Sequence, residues 1–116
     1  MAPYEKLKNL YDILIEAVNE ESSKTHKDER EKLKSKGIED ASRFAIDLIK
    51  RSKDSLSEKA IISAFNSRVS SSIYSLIKYE DKYLMKNTDR YRDKIIYYQS
   101  YVEATQVIRD KVKRII

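Results

Sequence analysis

"LSEKAIISAFNSRVSSSIYSLIKYEDKYLMK", residues 56–86, runs without a glycine or a proline. Its apolar residues Ile62, Phe65, Val69, Ile73, Leu76, Ile77, Tyr83 and Leu84 recur at helical spacing and hold one face. A strand would alternate with a period of two, so the stretch predicts one long helix over 56–86. Ser55 with Glu58 forms an S-x-x-E capping box that would start it. After it, Asn87-Thr88-Asp89 is a polar turn with N-cap candidates, and a last helix is expected over 88–115.

The rest of the chain continues the pattern. Pro3 suits a first helical position, and Leu7, Leu10, Tyr11, Leu14, Ala17 and Val18 form a stripe that predicts a helix over 3–21. Ile38, Ala41, Ala45, Leu48 and Ile49, flanked by Phe44, predict another over 38–52. Between them, residues 19–36 hold one large apolar side chain, Leu33. That segment reads as a solvated connection followed by a short charged helix near 27–36, which Gly37 would end as a C-terminal cap. With Gly37 and Pro3 the only residues of their kinds, a turn-rich β fold is excluded. The expected fold is all-α: one domain, 1–116, built as an antiparallel bundle of four main helices (3–21, 38–52, 56–86, 88–115) with the short extra helix near 27–36.

Composition narrows the function classes. The chain has no cysteine, which excludes disulfides, thiolate metal sites and cysteine nucleophiles. The start "MAPYEKLKNLYDILIEAV" is broken by Lys6, Lys8, Asp12 and Glu16, so it reads as neither signal peptide nor membrane span. A cytoplasmic protein is expected, and the abundance of lysine and glutamate over asparagine and glutamine suits a thermophilic source. His26, the single histidine, lies in the most polar stretch and reads as a solvated surface side chain. Its surroundings exclude the Arg-to-His signature of helical HEPN ribonucleases. Glu16 with Glu20, and Glu80 with Asp81, lack the Glu-x-x-His partner of a bundle metal site. No phosphate loop, G-x-S-x-G elbow or HExxH motif occurs. The expectation is a protein that is not an enzyme and carries neither metal nor cofactor.

Charge points to partners instead. Residues 1–58 carry 12 basic and 13 acidic groups, whereas residues 59–116 carry 12 basic and 6 acidic ones. Lys82, Lys86, Arg90 and Arg92, then Arg109, Lys111, Lys113 and Arg114, are candidate phosphate contacts; cations at a helix C-terminus also suit its dipole. Within "RYRDKIIYYQSY", residues 90–101, Tyr91, Tyr98 and Tyr101 follow the core stripe of the last helix, and Tyr97 points the other way. Tyr97 is therefore the expected exposed ring for base stacking. Ile96 and Val107 also leave the main stripe, which suggests a central helix or a second, partner-covered face. Opposite the core stripe of the long helix, Ser63, Ser67, Ser70, Ser71 and Tyr74 line up as a face that could dock a protein or a second copy of the chain.

No motif of a known family is present. In general pattern, small helical chains rich in tyrosine and lysine resemble accessory proteins of hyperthermophilic archaea and their viruses. The last two helices are similar in pattern to the helical domain of archaeal GINS replisome subunits and to helical small subunits of CRISPR effector complexes; no residue role is carried over from either. The favoured expectation is a non-catalytic accessory subunit of a nucleic-acid-associated assembly, and the alternative is a protein–protein interaction module without nucleic-acid contact.

Overall fold

A computed structural model describes residues 2–116, and these form four helices and no strand. Pro3 opens α1 (Pro3–Ser23), which needs no side-chain cap at its start. In α2 (Glu29–Arg51) the Asp28 carboxylate accepts the Glu31 amide at 2.8 Å, while the Glu31 carboxylate accepts the Lys27 amide at 3.1 Å. This reciprocal capping satisfies donors that a helix start otherwise leaves open. Thr88 caps α4 (Asp89–Ile115) by accepting the Tyr91 amide at 3.3 Å.

Two local expectations are corrected. The short helix expected near 27–36 and the helix expected over 38–52 are one continuous helix, and Gly37 does not end it. No residue, glycine included, takes a positive φ among those described. Gly37 lies instead where α4 passes closest: a Cβ there would sit 2.8 Å from the Tyr97 carbonyl oxygen and 2.9 Å from the Tyr101 amide nitrogen. The second correction concerns α3 (Glu58–Met85), which is capped by Ser57, whose hydroxyl accepts the Ala60 amide at 3.1 Å. Ser55, expected to form the capping box, belongs to the turn that precedes it.

The helices lie side by side in the order α1–α2–α4–α3. Neighbours in sequence run antiparallel: the Ser35 hydroxyl donates to Glu21 and that of Ser22 to Glu39, while Arg109 meets Asn66. The central pair, α2 and α4, runs parallel, with Ser100 donating to the Lys34 carbonyl at 2.6 Å and Ser42 beside Ala104 further along. In a square up-and-down bundle these two would be diagonal partners. Gly37, Ala41 and Ala45 keep the facing surface of α2 shallow, so α4 settles onto it. The result is a slab of 51 × 30 × 20 Å, about two helix diameters thick. Its radius of gyration, 15.5 Å, exceeds the roughly 13 Å of a compact chain of this length.

At one end meet the start of α1, the end of α2, the start of α3 and the end of α4, tied by Lys6 to Glu58 at 2.7 Å. Large side chains are completely buried towards this end: Leu7, Ile49, Ile61, Phe65 and Val112. Complete burial of one such side chain contributes on the order of 1.5–3 kcal/mol. At the opposite end the α3–α4 hairpin carries apolar groups in solvent. Ile77 and Leu84, expected on the core stripe, are 51% and 81% exposed; the inward stripe of α3 is Ile61, Phe65, Val69 and Ser72. Ile38, expected in the core, lies at its margin and is 37% exposed.

Candidate functional site

The tyrosines of 90–101 act as packing groups between helices. Tyr79 of α3 stacks on Tyr98 with centroids 5.9 Å apart and leans on Tyr91 at 6.3 Å. Tyr97 meets Tyr98 edge-on at 5.1 Å and stacks on Tyr101 at 6.0 Å. Its hydroxyl crosses to α2 and donates to the Asp40 carboxylate at 2.6 Å. Burial, reinforced by that carboxylate, pushes the Tyr97 phenol far above its ordinary pKa. The expectation of a free stacking ring at Tyr97 is thereby corrected: helix periodicity placed it off the α3 side correctly, but α2 occupies the side it faces.

The expected phosphate contacts form two groups. Lys82, Lys86, Arg90 and Arg92 stand around the hairpin tip, and Arg109, Lys111, Lys113 and Arg114 at the other end of α4. Arg92 and Arg109 are separated by about 26 Å at the helical rise. Several are engaged within the chain. Arg92 lies 3.6 Å from both Asp89 and Asp93, Arg109 contacts Asp110 at 3.2 Å, and the Lys82 ammonium stands 5.4 Å from the Tyr79 ring and 5.7 Å from that of Tyr91. Among the described residues, Lys86, Arg90, Lys111, Lys113 and Arg114 make no ion pair and are exposed.

The fold adds to the C-terminal group. Lys8, Lys50, Arg51, Lys53 and Lys59 come to the same end as Lys111, Lys113 and Arg114, because all four helices place a terminus there. Segments 2–8, 47–59 and 109–116 together hold ten basic and five acidic side chains, so this end is positive. No local sequence signal marks the gathering; only the alternating direction of four helices implies it.

The outer face of α3 is the second surface. Ser63, Ser67, Ser70, Ser71 and Tyr74 are all exposed in line, Tyr74 at 73%. The line continues into Ile77, Leu84 and Met85, the last 89% exposed. Two depressions lie elsewhere on the surface. Arg30, Glu80 and Arg92 rim a depression of about 390 Å³ floored by Ile95 and Ile96, and Ile13, Ile38 and Val107 border one of about 410 Å³ between α1 and α4. Among the described residues no group of three or more His, Asp or Glu could hold a metal ion, and no helix is long and apolar enough to cross a membrane. The chain matches no family model, no curated protein and no solved structure.

Proposed function

We infer that the protein is a non-catalytic, cytoplasmic helical subunit of a nucleic-acid-associated assembly, and that its basic end contacts phosphates. The observation that carries this reading is the convergence of Lys8, Lys50, Arg51, Lys53 and Lys59 with Lys111, Lys113 and Arg114 on one end of the slab. Cations released from a phosphate backbone by such a cluster give affinity without base preference. The rings of the tyrosine ladder pack on one another and are partly buried between α3, α4 and α2, so this reading rests on charge and not on ring stacking.

Titration of a fluorescent oligonucleotide by anisotropy tests this. Binding at low salt is expected, weakening as salt rises, and the triple substitution Lys111→Glu, Lys113→Glu, Arg114→Glu should reduce affinity at least about tenfold, since each lost phosphate contact flattens the salt slope. Absence of binding at low salt, or binding indifferent to salt, refutes the reading. A second reading, docking of a protein on α3, is favoured by the exposed Tyr74, Ile77, Leu84 and Met85.

A further inference from the structure

The outer line of α3 has an internal symmetry. With Ser71 and Leu84 set aside at its margins, Lys59, Ser63, Ser67, Ser70, Tyr74, Ile77, Asp81 and Met85 step by four, four, three, four, three, four and four, so the spacing is the same from either end. All eight are exposed. They lie two positions on from the inward stripe Ile61, Phe65 and Ser72, about 200° around the helix. Chemically the two halves differ: the first is small or polar, the second bulky, with Tyr74 73%, Ile77 51% and Met85 89% exposed.

We propose that this face mates with the same face of a second copy of the chain, the two α3 helices running antiparallel about a twofold axis level with residue 72. This deepens the reading of α3 as a protein-docking surface and does not depend on nucleic-acid contact. In that register each small residue meets a large one: Ser70 faces Tyr74 of the second copy, Ser67 faces Ile77, and Ser63 faces Asp81, whose carboxylate can accept its hydroxyl. Lys59 stands one turn from Ser63 and so reaches the same Asp81, giving an opposite-charge pair at each end. A parallel pair would set serine on serine and Asp81 on Asp81, and therefore gains neither the fit nor the charge match. Because an isologous contact repeats every pairing twice, the bulky half of each helix is covered by the small half of the other. The contact would run about 39 Å, and α3, as an outermost helix of the slab, offers that length unobstructed.

Light scattering on the full chain without nucleic acid reads the result independently of the oligonucleotide titration. The expected mass is twice 13.7 kDa, falling to the monomer in Ile77→Asp with helicity by circular dichroism retained. Lys59→Glu should weaken the dimer about tenfold, and Lys59→Glu combined with Asp81→Lys should recover it. The natural chain has no cysteine, so orientation is read directly: Ser63→Cys with Asp81→Cys should give a covalent dimer with a short thiol cross-linker, and Ser63→Cys alone should not. A wild-type monomer at high micromolar concentration, a dimer indifferent to Ile77→Asp, or cross-linking of Ser63→Cys alone overturns the proposal.

Discussion

Gly37 is where the fold is least tolerant of one added carbon. Replacing a helical glycine by alanine normally stabilises a helix by about 1 kcal/mol. Here the new methyl would press on α4 backbone atoms at 2.8 and 2.9 Å, which cannot swing aside as a flexible side chain would. Overpacking of this kind costs about 1–3 kcal/mol, so Gly37→Ala is expected to lower the melting temperature by several degrees despite its better helix propensity; thermal denaturation followed by circular dichroism checks it. The residue type pointed to an interruption, and only its neighbour on α4 reveals a close crossing. Tyr97 is parallel: periodicity gave its direction, but the Asp40 partner lies 57 positions away in sequence and left no local trace.

Among the helices, the interiors were legible and the starts less so. The burial of Leu7, Leu10, Leu14 and Val18 on α1, and of Ala41, Ala45, Leu48 and Ile49 on α2, follows the spacing of apolar residues. The start of α3 does not, because Ser55 and Ser57 are both competent caps and the turn before them decides. Ser57→Ala should cost about 1 kcal/mol in chemical denaturation, while Ser55→Ala, in the preceding turn, should stay within about 0.5 kcal/mol of wild type. The α1–α2 contact carries a pH signature. Hydrogen bonds from Ser22 and Arg43 hold Glu39 below the ordinary carboxylate value of 4.5; burial alone would raise Glu21, but Lys24 and Ser35 outweigh it and lower it too. Carboxylates depressed in the folded state stabilise it above that ordinary value and lose their contribution as pH falls through the lower folded one. The melting temperature should therefore fall as pH drops below 4.5, and Glu39→Gln should be less stable at neutral pH with a flatter acid limb.

For the whole molecule, the decisive feature is the order α1–α2–α4–α3, which flattens the bundle and leaves α3 with an uncovered side. An all-helical chain of four main elements was readable because glycine and proline are nearly absent and apolar residues recur every three or four positions. Those are local properties, carried by neighbours in sequence. The packing order, the merging of segments 27–36 and 38–52 into α2, the meeting of distant lysines at one end, and the exposure of Ile77 and Leu84 depend on which helix faces touch. On α3, Ile77 and Leu84 lie at the edge of the same broad apolar stripe as Phe65 and Val69, so periodicity marks them together. Which of them enter the core is settled by what α3 packs against, Phe44 of α2 on Phe65 and Tyr98 of α4 on Tyr79, contacts between residues about twenty positions apart that no local pattern encodes.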